Sequence, residues 1–177
     1  MAAVACLAVA SCSPPPVYRM VLPQVSASNY FVGPDLEVVF EFGERHIEVT
    51  LNNTGEGDVL IDWAQTSLVR PDGVATALLP ATVSSVQTLP SGSRSTMRLK
   101  PADWLLPPPT LWHRRANLRY RLVPDPVFQQ CVPMVRVAVP VKRFLGERVL
   151  SEVLQFSFQV SQGGDVQPEG GENDLPF

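Results

Sequence analysis

Leu154-Gln155-Phe156-Ser157-Phe158-Gln159-Val160 alternates large apolar and polar residues without a break. Successive side chains of a strand point to opposite faces, so Leu154, Phe156, Phe158 and Val160 fall on one side. A helix would scatter the same residues around its circumference. The pattern recurs upstream. Val38, Phe40 and Phe42 alternate with Glu37, Val39 and Glu41. Ile47, Val49 and Leu51 alternate with His46, Glu48, Thr50 and Asn52. Val59, Ile61 and Trp63 share one face, as do Leu118, Tyr120 and Leu122, and then Val135, Val137, Val139 and Val141. Met97 and Leu99 face one way in a further short strand. Turn chemistry separates these runs. Phe42-Gly43-Glu44, Asn52-Asn53-Thr54-Gly55-Glu56-Gly57, Pro71-Asp72-Gly73 and Leu89-Pro90-Ser91-Gly92-Ser93 each supply residues that preset or permit turn dihedrals. The spacing predicts an all-β fold of about seven to nine antiparallel strands. Pro140 interrupts a run that otherwise reads as a central strand, which predicts an edge or a bulge there.

Composition agrees. Of 177 residues 18 are proline, about twice the usual share. Proline lacks an N–H and clashes with the preceding helical turn, so a helical bundle is excluded. Apolar residues make up 45%, enough for a core and too many for a wholly disordered chain. The net charge of −3 gives no bulk attraction to nucleic acid.

The chain opens Met1-Ala2-Ala3-Val4-Ala5-Cys6-Leu7-Ala8-Val9-Ala10-Ser11-Cys12. Ten small or apolar residues are too few to span a bilayer, and they match the apolar region of a signal peptide. Val9-Ala10-Ser11-Cys12 resembles the bacterial lipobox, in which an aliphatic and two small residues precede the acylated cysteine. The resemblance implies a mature chain beginning at lipidated Cys12. It also implies an outer-membrane, periplasm-facing location, because Ser13 and not Asp follows the cysteine. A basic leader region is missing before Arg19. With Cys6 removed and Cys12 lipidated, Cys131 has no partner for a disulfide. The expected organisation is a signal peptide over 1–11, a lipidated tether over 12–34, a β domain over 35–160, and an acidic Gly-rich disordered tail over 161–177.

The run Ile47-Glu48-Val49-Thr50-Leu51-Asn52-Asn53-Thr54, then Ile61-Asp62-Trp63, then Leu68-Val69-Arg70-Pro71-Asp72-Gly73 resembles the immunoglobulin-like β-sandwich domains of bacterial lipoproteins of unknown function. That resemblance implies an immunoglobulin-like sandwich over about 35–160. The Cys…Trp…Cys core of antibody domains is absent.

Chemistry is sparse. The chain has two histidines, His46 and His113, and no Gly-x-Ser-x-Gly, HExxH, P-loop or GxGxxG motif. Asp58 and Asp62 share a strand face with Leu60 between them, which reads as a solvated face. No cofactor, metal or small-molecule substrate is expected. The most distinctive segment is 101–115, where Trp104 and Trp112 flank Pro107-Pro108-Pro109 and precede Arg114 and Arg115. Tryptophan and arginine are favoured at interface hot spots, so these four residues are the candidate partner-binding set. The sequence therefore points to a non-catalytic binding or structural module. It would be anchored through Cys12 and joined to another envelope protein in a larger assembly. Two alternatives follow from the same residues. One is a hydrolase or carbohydrate-active domain on a sandwich. The other is a chaperone-like assembly factor that pairs a strand edge with a client.

Overall fold

The structure, a computed structural model, describes residues 15–43, 46–81, 85–104 and 133–161. It is all-β, with eleven strands and two single-turn 3-10 segments among the described residues. The strands are β1 (Val17–Leu22), β2 (Tyr30–Val32), β3 (Leu36–Phe42), β4 (Ile47–Asn53), β5 (Val59–Asp62), β6 (Ser67–Val69), β7 (Ala75–Pro80), β8 (Val86–Leu89), β9 (Arg94–Pro101), β10 (Met134–Leu145) and β11 (Arg148–Ser161). All pairings are antiparallel, in the order β1-β11-β10-β6-β7-β9-β4-β3-β2, with β5 beside β10 and β8 beside β5. This single ladder curls until it is nearly closed into a barrel.

The period-two residues form the core. Phe40, Ile47, Val49, Leu51, Val59, Ile61, Trp63, Val135, Val137, Val139, Phe156 and Phe158 are all buried, and Leu154 and Met97 pack against them. Trp63 lies one residue past β5, in the 3-10 turn Trp63–Gln65, and its indole N–H donates to Gln87 Oε1 at 3.0 Å. Asp62 caps that turn by accepting from Ala64 N at 3.1 Å.

Three expectations need correction. Among the described residues the strand count is eleven and not seven to nine, and the expected Leu118–Leu122 strand lies outside them. The strands beyond that expectation lie where the alternation is short or imperfect, among β1, β2, β7 and β8. Strand pairing extends N-terminal to the 35–160 span expected for the β domain. Tyr18 and Met20 are buried in β1, which pairs with β11 from Val17↔Ser161 to Leu22↔Ser157, so the domain already begins at Val17. A three-proline entry masked a strand that only a long-range partner specifies. Pro140 is not at a sheet edge, since β10 is flanked on both sides. Phe144 N donates to Asp58 O at 2.9 Å, so even-numbered residues of β10 point their backbone groups toward β5 and β6. On that side β6 pairs with 136–138 and β5 with 141–143. The N–H that proline lacks thus falls in the gap between two partners, where no ladder bond is lost.

Asn29 closes the seam between the two ends of the ladder. Its side-chain Oδ1 accepts from Met20 N at 2.8 Å on β1, and its carbonyl accepts from Phe40 N at 3.1 Å on β3. Its φ of +52° is one that asparagine tolerates better than most residues. Beside this seam, Glu37 accepts from Asn52 Nδ2 at 2.9 Å. The hydrogen bond from Asn52, then one from the Tyr30 hydroxyl, holds the Glu37 carboxyl below its ordinary pKa. The same bond raises the Tyr30 phenol. A lowered folded pKa means that this contribution is present above the unfolded glutamate range and fades as pH falls through the folded value. Urea midpoints followed from about pH 6 to about pH 3 should therefore fall less steeply for Glu37→Gln than for wild type. Parallel acid limbs would show that the bonds add nothing.

Candidate functional site

β10 and β11 are the longest strands, 12 and 14 residues, joined at Gly146-Glu147. Leu145 pairs with Arg148, leaving a two-residue loop. Gly146 holds φ +62° at its first position, as a type II′ hairpin demands. The hairpin is longer than the core it covers. Val160, Phe158 and Phe156 are buried, Leu154 is half-buried, and every residue from Arg148 to Val153 is exposed.

The outer flank of β11 is only partly used. β1 covers 157–161, and its register shifts between Met20 and Leu22. Such a shift bends a strand away from its partner. Among the described residues no strand pairs with the outer flank of 148–156. Val160 N donates to Pro133 O at 2.9 Å, so even residues of β11 point their backbone toward β10. Alternation then turns the N–H and C=O groups of Val149, Ser151, Val153 and Gln155 outward, along the open flank. An unpaired edge of this length is a template for another strand.

The side chains along it are aliphatic. Val149 is 52% exposed, Leu150 53%, Val153 54%, and Leu145 across the turn 44%. No proline or lysine blunts 149–155. Arg148 and Glu152 are its only charges.

Two polar features frame the edge. On the concave face, Arg143 has a side chain 12% exposed and sits between two carboxylates. It donates to Asp35 Oδ2 at 2.9 Å from one terminal nitrogen and pairs with Glu152 through the other. Its buried Nε has no hydrogen-bond partner among the described residues. Asp35 is fixed in turn, since its carbonyl accepts from Thr54 N and Gly55 N. On the convex face an open groove of about 330 Å³ runs beside Val153 and Pro140, with Leu60 in its lining and Lys142, Asp62 and Gln65 at its polar positions.

Comparison with known protein families, with curated proteins and with solved structures finds no match. The residues themselves must carry the functional argument.

Cys12, Trp112, Arg114 and Arg115 lie outside the described residues. Trp104 ends the 3-10 turn Ala102–Trp104, and its side chain also lies outside them. That turn is pinned through its neighbour, as Asp103 accepts from Arg70 at 2.8 Å and from Thr76 at 3.3 Å. Asp58 and Asp62 do not act as a pair. Asp62 caps the Trp63–Gln65 turn and accepts from Gln65 Nε2, while Asp58 offers its carbonyl to β10. His46 lies 3.8 Å from Glu48 on the solvated face of β4. Among the described residues no three His, Cys, Asp or Glu side chains converge on a metal-sized site. The β11 edge was absent from the sequence-based candidate set. Its signal was present in Arg148-Val149-Leu150-Ser151-Glu152-Val153, where aliphatic residues fall on both faces and the alternation that identifies a half-buried strand breaks down.

Proposed function

We propose that the protein is a lipid-anchored, non-catalytic module of the bacterial cell envelope that binds its partner by strand addition at the open flank of β11. The reading combines an anchor at Cys12, in the outer membrane and facing the periplasm, with an immunoglobulin-like β domain that presents the edge away from it. One observation carries it. The backbone groups of Val149, Ser151, Val153 and Gln155 are turned outward and flanked by exposed Val149, Leu150 and Val153. Main-chain bonds at such an edge supply affinity, and alternate side chains supply selectivity. This keeps the non-catalytic reading and moves its interface from the 101–115 segment to the hairpin.

The test uses the full chain in its membrane. A photo-cross-linking residue at position 153 should capture one defined adduct. Ser151→Pro deletes an outward N–H without touching the core and should reduce that adduct about tenfold or more at an unchanged melting temperature. Cys12→Ala should release the protein from the membrane fraction. An adduct undiminished by Ser151→Pro removes the edge reading. Retention of Cys12→Ala in the membrane removes the anchor.

A further inference from the structure

The open flank of β11 is complementary to itself. We infer that its occupant is a second copy of this chain, paired antiparallel about a two-fold axis through Leu150. The inference rests on the edge reading above and names its partner.

Backbone direction comes first. Outward-pointing residues must meet outward-pointing residues, so odd positions pair with odd and even with even. That rule leaves a few registers. Centred on Glu152, the pairing sets Glu152 against the partner's Glu152, two like charges in direct opposition. Centred on Ser151, it sets Glu152 against the partner's Leu150 and Arg148 against the partner's Leu154, and neither charge is matched. Centred on Leu150, it sets Arg148 against the partner's Glu152 and, by symmetry, Glu152 against the partner's Arg148. Leu150 then meets the partner's Leu150, and Val149 meets the partner's Ser151.

The geometry of that third register favours its charges. Even residues of β11 make their ladder bonds to β10, so across the new seam they form the closely spaced, non-hydrogen-bonded pairs. These pairs bring side chains nearest, where opposite charges on facing strands stabilise and like charges destabilise. The local charge also fits. Arg143 lies between Asp35 and Glu152, a cluster with one unbalanced negative charge. The partner's Arg148 arrives opposite Glu152 and brings it to neutrality.

Length fits as well. The register uses 147–153, so each copy's paired segment begins at its own hairpin turn and ends opposite the other copy's turn. The first residue of β11 paired with β1 is Ser157. Residues 154–156 separate the two, leaving β1 clear of the partner's Gly146. Copies anchored to one membrane surface are confined together, which raises their effective concentration at a seam of only seven residues.

The experiment is sedimentation velocity on the full chain in detergent, with disulfide mapping in a Cys131→Ser background. Wild type should self-associate reversibly, and Arg148→Glu should raise the dimer dissociation constant about tenfold or more. Leu150→Cys should form a disulfide-linked dimer on mild oxidation, because facing positions at the two-fold approach disulfide distance. Glu152→Cys, which meets Arg148 in this register, should not. A monomeric wild type, or a dimer that Arg148→Glu leaves intact and Leu150→Cys fails to link, overturns the inference. Linkage through Glu152→Cys alone overturns this register. If the chain is monomeric and Ser151→Pro still abolishes the membrane adduct, self-pairing falls and the edge reading survives with a different partner. If Ser151→Pro changes neither, both fall.

Discussion

Gly57→Ala is expected to lose about 3 kcal/mol or more of stability, a fall of roughly 10 °C in melting temperature for a domain of this size. A β-carbon on Gly57 would stand 1.8 Å from the carbonyl oxygen of Phe144 and 2.9 Å from its carbonyl carbon. Both are backbone atoms, so no side chain can swing away. The two strands are also fixed here. Phe144 N donates to Asp58 O at 2.9 Å, which ties β10 to the residue after Gly57. Gly57 O accepts from the Asn53 side chain at 2.8 Å, and that buried amide also donates to Leu89 O at 2.9 Å. Moving Gly57 outward breaks the first bond or strands the second, and an unpaired buried amide costs about 1–3 kcal/mol by itself. Gly73→Ala provides the contrast. Gly73 has φ +81° with nothing within 4 Å of an added carbon, so only backbone strain of about 1 kcal/mol is at stake. Chemical denaturation of both variants checks the pair. A Gly57→Ala loss no larger than that of Gly73→Ala would show that the close approach of β10 to this turn is not real. Phe144 lies one residue before the end of β10, so Gly57 fixes how closely the Asn53–Asp58 turn seats against the β10 end of the hairpin.

Gly57 illustrates what the sequence reveals and what it withholds. Asn52 to Gly57 is legible as a turn from its residue types. That one of its glycines is there to admit Phe144 depends on a strand pairing some 90 residues away. The same division runs through the fold. Residues with strict alternation, such as Ile47–Leu51 and Phe156–Val160, declare their buried face locally, because one face meets the core along the whole strand. β1 does not, since three prolines precede it and its partner is at the far end of the chain. The hairpin tip fails for the opposite reason. It extends past the core, so neither face is buried, and Val149, Leu150 and Val153 obey no period. The charged pair Arg148 and Glu152 is visible as letters. Which backbone groups they flank is settled only by the ladder that places even residues toward β10. Some turn glycines are easy to read: Gly73 and Gly92, both in turns legible from residue type, hold positive φ.

Phe40→Ala should cost about 3–5 kcal/mol, a large part of the 5–15 kcal/mol that a typical domain has. Phe40 is 1% exposed and lies at the centre of rings drawn from four strands. Its centroid is 4.7 Å from Phe156 and 5.0 Å from Phe158, both on β11, and 6.4 Å from Phe42 on its own strand. Phe42 in turn packs edge-on to Phe158 at 4.7 Å and stacks on Tyr18 of β1 at 4.0 Å, while Phe31 of β2 meets Phe156 at 5.5 Å. These strands are the two ends of the ladder, β1 and β11 at one and β2 and β3 at the other. Across that seam Asn29 supplies the bridging hydrogen bonds, and the rings supply the rest. Removing Phe40 deletes the transfer free energy of one ring, leaves a cavity between the two ends, and forfeits edge and tilted contacts of about 0.5–1.5 kcal/mol each. The damage should be local before it is global. Amides of Met20 and Phe40, which donate across the seam to Asn29, should exchange faster in Phe40→Ala than amides of β4 and β9. The outward amides of Val149, Ser151 and Val153 should be unaffected, because they lie toward the opposite end of β11 from Phe156 and Phe158. Phe40→Leu keeps most of the volume and should lose about 1–2 kcal/mol. A Phe40→Ala loss below about 1 kcal/mol, or uniform acceleration of exchange across all strands, would mean that the seam is held by its hydrogen bonds and not by its rings.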